Sequence, residues 1–336
     1  MAKHTIVLIP GDGIGPEVTA AAKRVIEAAG LDVEWLELPA GATAIDQGFD
    51  NVLPEQTIAA IRAHKIALKG PVTTPVGKGF RSVNVQLRQK LNLYAAIRPV
   101  RNLPGVKTRF EGVDMVIVRE NTEGLYSGIE NEIVPGVVTS LKVASEVACM
   151  RIARYAFRYA VRRQRRRITV FHKANIMKLS DGLFLKCSRL VHDQEFPHVE
   201  YDEVIIDAGC MKLVQDPSKM DVLLMENLYG DLVSDLCAGL VGGLGVVPGS
   251  NIGDDAAVFE AVHGSAPDIA GKGVANPLAL IMSGVMMLNH IGEEAIAGRI
   301  KTAYNNVLAE GKTLTRDLGG SAGTNDFADA IISRLP

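Results

Sequence analysis

Little in this sequence carries an excess of charge of either sign. Lysine and arginine total 36 against 38 aspartates and glutamates, a formal net charge of −2. That balance argues against a general nucleic-acid binder and sets no strong field for a membrane surface. Long apolar runs are missing as well. The longest, such as LALIMSGVMML after Pro277, fall short of the roughly 20 residues that a bilayer-spanning helix needs. Cysteine is scarce and scattered. Cys149, Cys187, Cys210 and Cys237 show neither paired nor metal-ligand spacing, so they read as reduced core or helix residues in a reducing compartment. No basic-then-apolar leader and no Arg/Ser-rich transit segment precedes HTIVLIPGDG, which gives the expectation of a cytoplasmic protein. Aromatics are sparse, and no internal repeat is visible.

What is present is an alternation of short apolar runs with helical patterns, the mark of an α/β protein. At 336 residues the chain exceeds what one core usually serves, so two domains are expected. Residues 5–9 read as a buried strand, stopped by the turn PGDGIG; Pro16 and Glu17 then suit a helix N-terminus. Further strands are expected at 33–38, 113–118, 137–141, 168–171, 204–206 and 222–225, and helices at 58–63, 145–161, 181–191, 277–290, 293–310 and 325–334. Beyond Gly242 the sequence turns loop-rich (GGLGVVPGSNIGDD). With 98–105 and 242–253 as punctuation, the two ends of the chain, 1–98 plus 250–336, would assemble one large domain around a middle domain at 99–249.

The stretch KGPVTTPVGKGFRSVNVQLRQKLNLYAAIR (69–98) gathers a lysine, threonines, Ser82, Asn84, Arg88 and Arg98 in one loop-then-helix segment. Arginine offers a rigid fork of N–H donors that matches a carboxylate two-for-two, so such a gathering points to a multiply charged acid as ligand. In DVLLMENLYGDLVSDLCAGLVGGLG, Asp231 and Asp235 stand at i and i+4, which on a helix puts both carboxylates on one face. Asp207 ends the apolar run VIID and adds a third. Hard oxygen ligands without a Cys/His cluster favour Mg²⁺ or Mn²⁺, although such a pair alone is ordinary on a solvated face. VRENTEGLYSG supplies Arg119 and Tyr126, and FHKANIM supplies Lys173. A Tyr–Lys pair is a workable proton relay, because a neighbouring ammonium favours the phenolate, while either residue alone is commonly just exposed or packed. His172 reads as a satisfied core histidine. In VFEAVHGSAPDIAGKGVANP small residues after His263 let backbone approach a ligand, and Asp268 would accept from both ribose hydroxyls yet repel a 2′-phosphate, the logic of NAD selection. GDGIGPE lacks the full dinucleotide-binding glycine spacing and reads as a plain tight turn. The basic run RRQRRR (162–167) reads as a solvated helix end.

In their order, IPGDGIGPE, KGPVTTP, SVNVQLRQ, LYAAIRP, RENTEGLYSG, HKANIM, NLYGDLVSDL, GLVGGLG, HGSAPDIAGKGVANP and DLGG resemble the β-decarboxylating dehydrogenases over nearly the whole chain. That family comprises isocitrate, isopropylmalate, homoisocitrate and tartrate dehydrogenases, and the chain most resembles the NAD-dependent isocitrate enzymes. The resemblance implies a two-domain α/β fold with a mixed sheet flanked by helices, not a Rossmann fold. The ends would form the large, cofactor-binding domain, and the middle would carry the dimer interface and metal ligands. It implies NAD, Mg²⁺ or Mn²⁺, and metal-dependent oxidative decarboxylation of isocitrate to 2-oxoglutarate and CO₂. Arg88, Arg98 and Arg119 would clamp the tricarboxylate; Ser82 and Asn84 would read its distal arm, where isopropylmalate enzymes carry apolar residues. Tyr126 and Lys173 would be catalytic and touch substrate. Asp207, Asp231 and Asp235 would hold the metal, with Asp207 and Lys173 reaching across a homodimer, or a higher homo-oligomer, so that the active site is shared between two copies of the chain. Thr73, Thr74, Asn175, Glu260, His263, Gly264, Ser265, Ala266, Asp268, Ile269 and Asn276 would line the cofactor. The alternatives are a homoisocitrate, isopropylmalate or tartrate dehydrogenase, or a non-catalytic regulatory subunit. No nucleic acid or membrane partner is expected.

Overall fold

The structure is a computed structural model that describes residues 4–73 and 81–336. It divides into two compact units: Met1–Leu93 with Asn102–Thr108 and Val241–Pro336, and Tyr94–Arg101 with Arg109–Leu240. The crossings expected from the sequence fall later, at 98/99 and 249/250. The strand Ala95–Arg101 goes with the middle of the chain, because it pairs antiparallel with Asp114–Glu120 over its whole length.

In the first unit the strands lie in the order Val33–Glu37, His4–Ile9, Ile66–Lys69, Ala257–Ala261, Pro248–Ile252. The first four run parallel and the last is antiparallel. His4–Ile9 buries its last four residues, as a parallel strand covered on both faces must. Pro16, with its preset φ and no N–H to lose, opens the helix Gly15–Ala28. The helix Leu278–His290 is apolar almost all round and packs on the strand pair Pro248–Ile252 and Ala257–Ala261, so it is the central helix of this unit. Val7, Ile9, Ile58, Ile61, Val83 and Leu87 make a further apolar cluster. The stretch that reads as loop beyond Gly242 thus contains two strands. The first, Pro248–Ile252, is hidden in the sequence because Pro248, Gly249, Ser250 and Asn251 are poor strand formers, buried only by their neighbours.

In the second unit the order is Ala95–Arg101, Asp114–Glu120, Val222–Met225, Arg167–His172, Glu200–Ile205, parallel after the first junction. Val222–Met225 is wholly buried. The helices Glu146–Arg162 and Ser180–Glu195 pack on each other. Ser145 caps the former, its hydroxyl accepting from Ala148 N at 3.2 Å, and Asn227–Leu240 packs along Asp114–Glu120. Because the parallel strands share one direction, their carboxyl ends bring Arg119, Lys173 and the start of Asn227–Leu240 to one edge, the usual place for a site in an α/β sheet. A separate hairpin, Glu130–Val134 with Val137–Ser140, turns on Pro135–Gly136, where Gly136 takes φ +84°. The basic run is a set of clamps: Arg165 pairs with Asp114 and Asp221, Arg166 with Glu200, and Arg167 with the Lys219 carbonyl.

Candidate functional site

Each unit holds part of the expected set. In the second, Arg119 is fully buried at the end of its strand. Its Nε and one terminal nitrogen donate to Asn227 Oδ1 at 3.0 and 2.7 Å, and the other terminal nitrogen donates to Asp231. Gly230 makes this possible, since a Cβ there would lie 2.4 Å from Arg119 Cγ. Arg98 donates to Ser234 Oγ at 2.9 Å and Asp235 Oδ1 at 3.3 Å, and stands 4.0 Å from Asp231. Tyr126, in the turn Leu125–Ser127, donates its hydroxyl to Asp231 Oδ2 at 2.5 Å, and the Arg119 guanidinium lies over its ring. Asp231 and Asp235 do occupy one helix, Asn227–Leu240. Burial raises the Asp235 carboxyl above its usual range, with Arg98 pulling the other way and Asp231 adding to the rise.

Asp207 lies elsewhere in this unit. It sits in the first turn of the helix Ile206–Gln215, not at a strand end as the apolar run VIID suggests, because the strand stops at Ile205. Its Oδ1 accepts from Lys173 Nζ at 2.8 Å, and that bond holds the carboxyl below its usual range. Among the described residues of one chain, no three His, Cys, Asp or Glu side chains gather as a metal site. Two of the three expected ligands stand together and the third does not. Hard oxygens one helical turn apart fit Mg²⁺ or Mn²⁺, provided further oxygens come from outside the chain. Lys173 itself is placed by Asp181, fully buried, whose carboxylate accepts from Lys173 N and from Lys142 Nζ, both at 2.6 Å. Lys142 also lies 3.6 Å from Glu226. Asn175 falls in the exposed turn just past Lys173. His172 is half-buried, its Nδ1 accepting from Ala174 N at 3.1 Å, and burial lowers its pKa.

In the first unit, Ser82 caps the helix Val83–Lys90, accepting from Val85 N at 3.5 Å. Asn84 is half-buried, and its Oδ1 is shielded without a hydrogen-bond partner. Arg88 is buried 3.7 Å from Glu260. Lys69, which the sequence suggests as one of the carboxylate-binding groups, is buried on Glu260 at 2.7 Å; its partner is the protein's own. Asn251 also donates to Glu260 at 2.6 Å. His263, Gly264, Ala266, Ile269 and Asn276 line a cavity of about 540 Å³, with Ile14, Arg316 and Asp317. The His263 Nε2 is buried without a partner, and burial lowers the ring's pKa. Asn276 donates to Asp317 at 2.8 Å and accepts from Leu278 N at 2.9 Å. Thr73 Oγ1 and Ser265 Oγ share a hydrogen bond of 2.6 Å. Asp268 is exposed, and Thr74 lies outside the described residues. An apolar-walled cavity with an oriented amide and an unpaired imidazole nitrogen suits a flat heteroaromatic ligand.

Asn227, Ser234, Lys142, Asp181, Asp12 and Asp317 do not stand out in the sequence. Only Asn227 has a legible signal, since it precedes Asp231 by one helical turn.

A profile of the isocitrate/isopropylmalate dehydrogenase family matches residues 5–331. The chain is 53% identical to "Isocitrate dehydrogenase [NAD] catalytic subunit 5, mitochondrial" of Arabidopsis thaliana, over 98% of this chain and 88% of that one. It is 50% identical to a Dictyostelium discoideum protein named as a regulatory, mitochondrial component of NAD isocitrate dehydrogenase, over 98% and 91%. Among solved structures, isocitrate dehydrogenase from Methylococcus capsulatus superposes with a TM-score of 0.95 at 52% identity, covering 99% of both chains.

Proposed function

Because the chain belongs to the isocitrate/isopropylmalate dehydrogenase family, we propose that it is an NAD-dependent isocitrate dehydrogenase, decarboxylating isocitrate oxidatively to 2-oxoglutarate and CO₂. The relatives named for that reaction at about half identity support it, as do the residues. The observation that carries the catalytic reading is the Arg119–Asp231–Tyr126 constellation, with Asp235 one turn on and Arg98 between the two carboxylates. A regulatory relative has a similar overall sequence, but a chain that had given up catalysis would have no need to keep Tyr126, Lys173 and three aspartates. Ser82 and Asn84 favour isocitrate over substrates with an alkyl arm.

Arg98 and Arg119 hold substrate carboxylates, and Arg88 takes the third with Ser82 and Asn84 beside it. Asp231 and Asp235, with the partner subunit's Asp207, would hold Mg²⁺ or Mn²⁺. When bound, the cation would supply Lewis acidity and NAD a hydride acceptor. The partner subunit's Lys173, which travels with Asp207, takes the proton from the C2 hydroxyl. After CO₂ leaves, the Tyr126 hydroxyl gives its proton to C3 and is recharged from the partner subunit's Lys173. Thr73, Thr74, Asn175, Glu260, the 263–266 loop, Asp268, Ile269 and Asn276 place the cofactor. The test is NADH absorbance with isocitrate, with NAD or NADP, and with or without chelator; no turnover of the purified chain with Mn²⁺ would overturn the reading. Tyr126→Phe should lower formation of 2-oxoglutarate by about 100-fold or more and slow hydride transfer much less. Stopped-flow NADH formation read against product release separates the two, and full turnover would remove Tyr126 from the proton path.

A homodimer, or a larger homo-oligomer, completes this site. The support is the hairpin of 130–140, where Ile133, Val134, Val137 and Val138 are half-exposed or more. A lone two-stranded hairpin is marginal in water, and clustered exposed apolar side chains mark an interface. Sedimentation at micromolar concentration should give at least twice the 36.0 kDa chain mass, and Val138→Glu should shift it toward one. Its four cysteines are free, and no described helix is long and apolar enough to cross a membrane. We place it in a reducing compartment, the cytoplasm; the Arabidopsis thaliana and Dictyostelium discoideum relatives are named mitochondrial, and fractionation of the source cell decides between the two.

A further inference from the structure

The turn PGDGIG reads in the sequence as plain punctuation, yet its aspartate is a hub. Asp12 is buried at 6% exposure and accepts four hydrogen bonds from two distant segments. Oδ1 takes Thr43 N at 2.8 Å and Thr43 Oγ1 at 2.6 Å; Oδ2 takes Ala42 N at 3.0 Å and Thr73 N at 2.6 Å. The approach is tight enough that Gly41 can carry no side chain, since a Cβ would fall 1.9 Å from Oδ2. Around it the turn bonds to the backbone of Pro71 and of Ser265, the latter between the cavity-lining Gly264 and Ala266. Asp12 N donates to Pro71 O and Ile14 N to Ser265 O, each at 2.8 Å. Gly13, at φ +60°, would drive a Cβ to 2.1 Å from the same Ser265 carbonyl. Thr73, fixed by Asp12 through its amide, is in turn the hydroxyl partner of Ser265. Next to Ser265, Ala266 is held at φ +39°, a left-handed conformation that an alanine keeps only when its surroundings impose it.

We propose that Asp12 is a positioning residue for cofactor binding: by fixing Thr73 it sets the Thr73–Ser265 link and with it the 264–266 loop that lines the cavity. This rests on the cofactor reading above. A carboxylate can accept from every one of these donors at once. An asparagine cannot, because whichever way its amide turns, an NH₂ faces an N–H. Asp12→Asn therefore misaligns either Thr73 or the short helix Ala42–Asp46, without touching the cavity wall itself.

The experiment is fluorescence titration of NADH onto the purified full-length chain, with kinetics alongside. Asp12→Asn is expected to weaken NADH binding about 10-fold and raise KM for NAD in step, with kcat at saturating NAD within about 3-fold of wild type. In a double-mutant cycle it should add little to the loss caused by Ser265→Ala, since both break one link. Ile331→Ala, in the terminal helix Thr324–Ile332, supplies a variant destabilised by core loss alone and should leave NADH affinity unchanged. If Asp12→Asn lowers Tm but binds NADH like wild type, or its effect simply adds to that of Ser265→Ala, the inference is overturned. Should Asp12→Asn fail to fold, Thr73→Val breaks the Thr73–Ser265 link that Asp12 sets, and an unchanged NADH affinity there overturns it equally. Wild type that binds no NADH fails the cofactor reading itself, a separate and visible outcome.

Discussion

Asp231→Asn loses about 1000-fold or more of kcat with isocitrate, at any Mn²⁺ concentration, while NADH affinity stays within about 2-fold. Three side chains converge on this one carboxylate: Arg119, Tyr126 and, at 4.0 Å, Arg98. Asparagine keeps the volume and an acceptor, but it removes the charge that pairs with a fully buried guanidinium. Asn227 still accepts two bonds from Arg119, so the chain folds. Urea unfolding should show a loss of about 1–3 kcal/mol rather than the larger figure for a stranded buried charge. Turnover within tenfold of wild type would mean that Asp231 anchors Arg119 and nothing more.

The largest stability effect belongs to the other unit. Glu260→Ala should cost about 3–5 kcal/mol at pH 7, because it leaves Lys69 and Arg88, both buried, without their shared carboxylate. The pH dependence follows from the titration of Glu260. Burial pushes its carboxyl up, but the Lys69 and Arg88 charges, with hydrogen bonds from Lys69 and Asn251, more than offset that and hold it at about 2 against an ordinary 4.5. A carboxyl depressed in the fold stabilises fully above its unfolded value and loses that stabilisation as the pH falls through the folded one. The gap corresponds to about 3 kcal/mol. Wild type and Glu260→Ala should therefore differ most above pH 5 and converge as the pH drops toward 2, followed by urea midpoints. A difference that did not change with pH would show that Glu260 acts through packing rather than charge.

Much of this is legible in the chain. In the second unit Val222–Met225 reads correctly because it is buried on both faces and therefore continuously apolar, whereas Glu200–Ile205, expected at 204–206, starts four residues earlier on partly exposed polar positions. The facing of Asp231 and Asp235 follows from helical spacing alone. The strand Pro248–Ile252 escapes a sequence reading because its side chains are mostly small or polar, and its burial comes from the helix laid over it. Lys69 misleads for a related reason. A lysine near arginines suggests an anion site, but composition cannot reveal that Glu260, almost two hundred positions on, sits opposite it. Asp12 and Asp181 share that difficulty: each serves backbone amides, and amides leave no mark on a sequence. Arg119, Tyr126 and Lys173 stand out because the motifs around them resemble a family, not because spacing points to them.

The order of the strands bears on how the chain leaves the ribosome. Ile66–Lys69 must wait for Ala257–Ala261 before its second edge is paired, a delay of roughly 190 residues, or about 10–40 s of synthesis. The middle unit can close on itself during that interval. The amino-terminal segment meanwhile carries an open, apolar edge, the kind of surface that invites holdase chaperones or pairing with a neighbouring nascent chain.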